Sequence, residues 1–409
     1  MKRTFALILF LLFILILNSC KNYYEKSEER GKKAENIGGD IVIGVVKSST
    51  QTEDMIDGIR LAIEEFNAKG GFKGRKMRYI ERDDMIKPKL AIKIAREFAD
   101  NENVIAVIGH LSTDVAIPVS VVYEYNGVVF ITPRATNVAL TKHGFEYVFR
   151  NRASDQHSAL WLAKYMYDMG YKTILVVDDG SPYGTGLAAY FQMYASDLEL
   201  NVKKGASYNT IHADYRGVIS TMMLSASKFD AVLLAGTVPA AAHFLKQARE
   251  MGIKAPFIGG NGIHSSLLWE IAGSASEGVV TTSDFNREDN YTPTREFVRR
   301  FEKIYGKQPN EMAALGYDAV ELLIYGFTKG GTTKPSVIAS NIRYIDGWES
   351  VAGYYDMREN GDIGDEYLCF ETMHNGKFIL KKTGKQETYE DVKKFFDEKL
   401  NDIHKEVEK

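Results

Sequence analysis

From residue 40 onward, short unbroken apolar runs alternate with longer stretches whose apolar positions recur every three or four residues. Ile41 to Val46 is β-branched and continuous, the signature of a strand buried on both faces. Met55, Ile59, Ala62, Ile63 and Phe66 then mark one face of a helix, which Gly70-Gly71 stops. Met77 to Arg82 reads as the next strand. Pro88 opens another helix at the position proline tolerates, with Ala91, Ile94, Ala95 and Phe98 inward. A strand at Val104 to Gly109, a helix to Asn126 and a strand at Val128 to Ile131 follow. This βαβαβαβ order predicts a right-handed parallel sheet.

After a short strand at Tyr147 to Asn151 the same pattern restarts. Ser154 or Asp155 caps a helix through Trp161 and Met166. Strands are expected at Thr173–Val177, near Val202, at Ala231–Leu234, Phe257–Gly259 and Glu277–Thr282. Helices to about Asp197, near 215–226 and at Ala240–Glu250 separate them. Helices at Thr294–Tyr305 and Glu311–Phe327 come next, then a strand-like Val351–Met357. Strands at Tyr367–Met373 and Lys377–Leu380 flank Asn375-Gly376, a strong hairpin signal. The tail from Glu387 is an amphipathic helix with Val392, Phe396, Leu400, Ile403 and Val407 on one side; it is expected to pack on a lobe.

A chain of 409 residues exceeds one core and predicts two compact lobes. The net charge of −3 and the lack of a basic stripe argue against nucleic acid as a partner. The eight histidines are scattered without the i,i+4 spacing of a helical zinc site, and there is no Walker loop, G-x-S-x-G elbow or G-x-G-x-x-G. No cofactor, metal or catalytic residue is therefore expected. Asp178-Asp179 could do acid–base chemistry, but an Asp-Asp pair after a strand reads as a hydrogen-bonded turn.

The first twenty residues are not fold. Lys2-Arg3 precede an apolar run from Phe5 to Leu17, too short for a membrane span and suited to a signal peptide. Leu17-Asn18-Ser19-Cys20 resembles a bacterial lipobox, which implies cleavage before Cys20 and a thioether lipid on its sulfur. An ordinary secreted protein or a retained anchor helix are the alternatives. Residues 1–19 are thus expected as leader, and 20–39, charged and nearly without aliphatic residues, as a flexible solvated tether. The other cysteine is Cys369, so the mature chain is expected without a disulfide.

The chemistry-bearing stretches follow the predicted strands. Ser112-Thr113-Asp114 and Thr132-Pro133-Arg134-Ala135-Thr136-Asn137 are hydroxyl-rich turns. Open α/β sheets bind ligands at the carboxyl ends of their strands, and helix amides that start there point at the crevice. One of residues 112–114 is expected to be the helix N-cap. Asp178 to Gly184, Gly236-Thr237 and Gly260-Asn261 are the matching turns of the second series.

From about 40 to 381 the chain resembles the periplasmic leucine/isoleucine/valine-binding proteins, type I substrate-binding components of ABC transporters. The matching words are Asp57-Gly58-Ile59-Arg60-Leu61-Ala62, Phe66-Asn67-Ala68-Lys69-Gly70-Gly71, Gly74-Arg75-Lys76, Val107-Ile108-Gly109-His110, Ile131-Thr132-Pro133, Ala135-Thr136-Asn137, Tyr183-Gly184, Gln247-Ala248-Arg249, Tyr305-Gly306 and Gly316-Tyr317-Asp318-Ala319-Val320. Each is weak; their order and spacing are specific for the family.

The resemblance implies an α/β fold of two lobes, each a doubly wound parallel sheet, joined by three crossovers. Lobe 1 would be 40–153 plus 285–348, and lobe 2 154–284 plus 349–383, with 384–409 as the tail helix. It implies a solute-binding monomer, exported and lipid-anchored, that closes on one small amino acid or related solute. Delivery would be to an ABC permease with separate ATPase subunits; a tethered ligand sensor is the rival reading. The ligand-binding positions it implies are Ser112, Thr113, Arg134, Ala135 and Thr136 in lobe 1, and Asp155, Tyr183, Thr237 and Asn261 in lobe 2. Thr237 stands where the amino-acid binders often have an aromatic residue, Asn261 where they often have the acid that neutralises the ammonium, and Arg134 where they have a small residue. Either Asp155 or Asp179 pairs with an ammonium, or the ligand has none and Arg134 meets a carboxylate bidentately. His110 reads as a supporting residue.

Overall fold

Two parallel sheets carry the chain's two series of strands. The computed structural model describes residues 25–35, 38–48, 52–211, 213–225, 228–364, 368–381 and 387–407; the leader and Cys20 lie outside them. The first sheet is built from β1 (Ile41–Lys47), β2 (Met77–Asp83), β3 (Val104–Gly109), β4 (Val129–Thr132) and β5 (Val148–Arg150), in the order β2-β1-β3-β4-β5, all parallel. Helices α1 (25–35), α2 (Glu53–Ala68), α3 (Pro88–Asp100) and α4 (Thr113–Tyr125) belong to this half. The second sheet opens with β6 (Thr173–Asp178), β7 (Asn201–Ser207), β8 (Ala231–Ala235), β9 (Phe257–Gly259) and β10 (Val280–Ser283). Their order, β7-β6-β8-β9-β10, is the order of the first sheet. The chain therefore lays down one unit twice, and each copy has its switch point beside its first strand, where a crevice forms.

Helices α5 (Asp155–Asp168), α6 (Pro182–Asp197), α7 (Arg216–Ser225), α8 (Ala240–Glu250) and α9 (Leu267–Ala272) cover the second sheet. The chain then returns to the first sheet with α10 (Thr292–Tyr305), α11 (Glu311–Gly330), α12 (Pro335–Arg343) and a small antiparallel sheet of β11 (Trp348–Glu349), β12 (Tyr354–Met357) and β13 (Ile363–Gly364). β14 (Cys369–His374), antiparallel to β10, and β15 (Lys377–Leu380), antiparallel to β14, extend the second sheet. Asn375 and Gly376 both have positive φ, 47° and 80°, as a two-residue hairpin of this kind requires.

Each sheet is packed on both faces. Ile43, Ile108 and Phe149 meet Phe297, Phe301 and Leu323 on one side of the first sheet, while Val107 and Phe130 meet Phe98 and Val119 on the other. The second sheet divides in the same way. Chain passage between lobes occurs three times: after β5, after β10, and between Ile363 and Leu368. The last lies later than the expected change of lobe at 349. Val351, Tyr355, Met357 and Ile363 share the first lobe's apolar cluster, because the small sheet is amphipathic and its inner face finds cover there.

Two terminal segments complete the picture. Residues 25–35 are helical and docked on the first lobe, where the sequence predicts part of a solvated tether. Arg30, only 5% exposed, donates to the carbonyls of Ala99, Asn101, Val104 and Asn126, and Ala34 is fully buried. A segment poor in aliphatic residues is thus seated by polar contacts: Arg30 serves backbone carbonyls at the end of α3, the start of β3 and the end of α4, Ser27 meets the Tyr147 hydroxyl, and Glu35 pairs with Lys334. At the other end α13 (Tyr389–Val407) packs on α5 and α6 through Tyr389, Val392 and Phe396. Among the described residues no helix is long and apolar enough to cross a membrane.

Candidate functional site

A cavity of about 1000 Å³ lies between the carboxyl ends of the two sheets. The first lobe contributes Ser48 after β1, Ile86, Leu111 to Asp114 after β3, and Arg134 to Thr136 after β4. The second contributes Asp179 to Tyr183 after β6, Ser207 to Thr210 after β7, Thr237 to Ala240 after β8, Asn261-Gly262 after β9, and Leu267. Eight of the nine residues expected at the site, Ser112, Thr113, Arg134, Ala135, Thr136, Tyr183, Thr237 and Asn261, border this one space. Ser48 and Ser207–Thr210 lie beyond the turns that sequence reasoning reaches, although each stands at the end of a strand, Ser48 the first of one series and Ser207–Thr210 the second of the other.

The first-lobe wall is held by a buried chain of polar groups. His110 has a left-handed backbone, φ 51°, and is fully buried. Its Nδ1 lies 2.9 Å from Asp84 Oδ2 and its Nε2 2.8 Å from the Tyr123 hydroxyl. Burial pulls the imidazole below its ordinary pKa, against the opposing charge of Asp84, so the ring is neutral. Asp84 Oδ1 also accepts the Ser48 hydroxyl at 2.7 Å and the Ile86 amide at 2.9 Å. The ends of β1, β2 and β3 are thereby fixed to one another. His110 does this from behind the wall and does not border the cavity.

Ser112 occupies the N-cap of α4 with extended geometry, yet its side chain makes no capping bond. Its hydroxyl donates instead to Asp114 Oδ2 at 3.1 Å. No side chain caps the first turn of α4, and its amides face the cavity where an anion can use them. Val115 and Ala116 N–H return to Ser112 O, which leaves the earlier amides to the cleft.

Asp179 organises the second-lobe wall. Oδ1 accepts the Ser181 amide at 3.0 Å and its hydroxyl at 2.5 Å; Oδ2 accepts the Thr237 amide at 2.9 Å and its hydroxyl at 3.2 Å. Ser181 in turn caps α6 by accepting the Gly184 amide at 3.0 Å. Tyr183 reaches across to accept the Gly262 amide at 3.0 Å, and burial pushes its hydroxyl well above the ordinary range, so it stays protonated. The expected hydrogen-bonded Asp-Asp turn is present, with Asp179 buried and joining the ends of β6 and β8.

Asp155 is the expected site residue that the cavity wall excludes. It is the first residue of α5, capped by Ser154, and only 1% exposed. Its amide donates to Thr136 O at 2.8 Å, and neither carboxylate oxygen completes a well-formed hydrogen bond. Burial raises its pKa to about 7, with the Thr136 hydroxyl and the charges of Arg150 and Arg152 only partly offsetting this. The side chain is buried against Thr136 and does not line the cavity.

A charge network crosses between the lobes behind Arg134. Arg152 pairs with Asp284 and, at 3.2 Å, with Glu311. His264 lies 3.5 Å from Glu311 and 2.5 Å from Glu371, and Arg287 pairs with Glu371 at 3.1 Å. Burial works against a charge on His264, but the carboxylates of Glu311 and Glu371 outweigh it and raise its pKa to about 9. These residues belong to both lobes and to the passages between them. Among the described residues no group of three or more His, Cys, Asp or Glu is placed to hold a metal ion.

Two lobes of repeated α/β topology around a polar cleft define a hinged receptor for a small solute. A profile described as periplasmic binding protein matches residues 44–370. The leucine-specific-binding protein of Salmonella typhimurium is 30% identical over 357 residues, 86% of this chain and 95% of that protein. A Leu/Ile/Val-binding protein homolog of Brucella melitensis is 32% identical over 307 residues, covering 75% and 81%. Among solved structures, the ABC transporter substrate-binding protein of Desulfitobacterium hafniense in complex with Leu aligns at a TM-score of 0.75 and 31% identity, over 84% of this chain and all of that one. A leucine-binding protein of Thermotoga maritima aligns at 0.78 and 26%, over 84% and 98%. The chain belongs to the periplasmic binding protein family, whose members are exported and bind solutes without transforming them.

Proposed function

We propose that this protein captures a single amino acid, or a similarly small polar organic acid or amide, outside the cytoplasm and hands it to an ABC permease driven by separate ATPase subunits. The observation that carries the reading is the shared cavity, in which hydroxyls and amides from the strand ends of both lobes converge. A carboxylate fits the first turn of α4 beside Thr113 and the backbone of Arg134 to Thr136. Tyr183, Thr237 and Asn261 meet the solute from the other lobe. Only the closed arrangement offers both sets of contacts, so the solute itself shifts the hinge equilibrium toward closure. The relatives named for leucine and branched-chain amino acids support an amino-acid-like solute. The lipobox-like Leu17 to Cys20 supports a lipid anchor at Cys20 on the outer face of a bacterial membrane.

The test is mass spectrometry of solute released from purified protein, then calorimetry with that compound and small-angle scattering for compaction. A tightly bound solute that leaves the radius of gyration unchanged, or one that is chemically altered on the protein, contradicts the reading. Thr136→Ala is expected to weaken binding by about 1–3 kcal/mol, because a group that pairs with the buried solute loses its partner. Unchanged affinity in that variant places the solute elsewhere.

A further inference from the structure

Arg134 borders the cavity, and among the described residues it makes neither a hydrogen bond nor an ion pair. Its surroundings offer it no spare anion. Glu311, the nearest acid in charge terms, already serves Arg152, the Asp284 amide at 2.6 Å and His264. Behind the wall Arg152, His264 and Arg287 face Asp284, Glu311 and Glu371, three cations against three anions, which leaves none of these acids over for Arg134, and a further buried carboxylate, Asp155, lies within the charges of Arg150 and Arg152. In the wall itself, both oxygens of Asp179 are taken by Ser181 and Thr237, and Asp114 accepts from Ser112. Burial, with the neighbouring charge of Arg152, pulls the Arg134 guanidinium below its ordinary pKa. A charge so placed is costly, and costlier once the lobes close and exclude water, unless an anion arrives with the solute.

Arginine presents a planar fork that matches a carboxylate bidentately. The first turn of α4 offers further amides, which carry no formal charge, to an anion in the same cavity. An amino acid with an aliphatic side chain brings no net charge, because its one carboxylate is offset by its own ammonium, and so does not neutralise the guanidinium. We propose that Arg134 determines specificity and that the selected solute carries a carboxylate facing it, as an acidic amino acid or a dicarboxylate does. This rests on the cleft being the solute site.

The experiment is calorimetry of the full mature chain with L-leucine, L-glutamate and succinate, on the wild type, Arg134→Ala and Arg134→Lys, with ligand-free melting as a folding control. Wild type is expected to prefer glutamate or succinate over leucine by about ten-fold or more. Arg134→Ala should reduce that preference by about ten-fold or more, Arg134→Lys should restore part of it, and ligand-free melting should not fall. Tightest binding of leucine, or equal loss of leucine and glutamate in Arg134→Ala, overturns the inference and leaves the cleft reading standing. If none of the three binds, the solute released from denatured protein decides: one without a carboxylate overturns the inference alone, and no solute at all overturns both.

Discussion

Tyr183 joins α6 to the turn after β9 through a single hydroxyl, and its ring lies where any side chain at Gly262 would have to go: a Cβ there would stand 2.5 Å from the ring. Tyr183→Phe keeps the ring and removes the acceptor of the Gly262 amide. The expected loss is about 1–2 kcal/mol of stability, measured by urea unfolding, with weaker solute binding beside it. Wild-type stability in the variant argues that water replaces the hydroxyl. Asp155 shows the opposite economy at the same scale. Sequence position put it beside the ligand, but at the start of α5 it is buried, its amide bonded to the Thr136 carbonyl, and it does not line the cavity, which no local pattern reveals.

At the scale of elements, α2 and α11 approach each other closely in the first lobe. A Cβ on Gly58 would sit 2.0 Å from the Ala313 carbonyl oxygen, and one on Gly316 2.6 Å from the Met55 carbonyl oxygen. Gly58→Ala must push the helices apart and is expected to cost about 1–3 kcal/mol, read as a lower denaturation midpoint. Little change there would mean that α2 shifts freely on the sheet. Arg30 is the buried anchor of α1, and its carbonyl acceptors come from segments scattered between Ala99 and Asn126. Arg30→Ala should release residues 25–35, seen as faster amide exchange there, with the sheets still protected. Continued protection of that helix would show that Ala34 and its surroundings suffice. The strands and main helices were legible because each buries a periodic apolar face. α1 was not, because its hold on the lobe is polar and its partners are distant in sequence.

For the molecule as a whole, the buried charges between the lobes set a pH dependence. His264 has a folded pKa of about 9, above its ordinary value, so its contribution is complete below about pH 6.5 and is lost as pH rises through 9. Asp155 and Asp318, each raised to about 7 chiefly by burial, act with the same sign at lower pH. Glu311 and Glu371 are held below the usual carboxylate range despite burial, by Arg152 and His264 and by His264 and Arg287, and their contribution is lost in acid. Stability should peak on the acid side of neutrality and fall on the order of 3 kcal/mol between pH 6 and 9.5. Urea unfolding at both values measures this; His264→Gln should flatten the slope, and a rise toward pH 9.5 would refute it.

Apolar periodicity by itself determined that two parallel sheets are laid down in turn, and turn chemistry determined that hydroxyls and glycines gather after their strands. Both follow from local rules: a buried strand must be apolar, and a chain reversal needs particular residues. Tertiary structure alone decided that Ser48 and Ser207 share a cavity with Thr113 and Asn261, that Asp155 is buried and does not line it, and that residues as far apart as 152, 264, 284, 311 and 371 form one network. Those outcomes depend on how three separate passages of the chain stack the lobes. Charge pairing between distant segments leaves no trace in the spacing of any one of them.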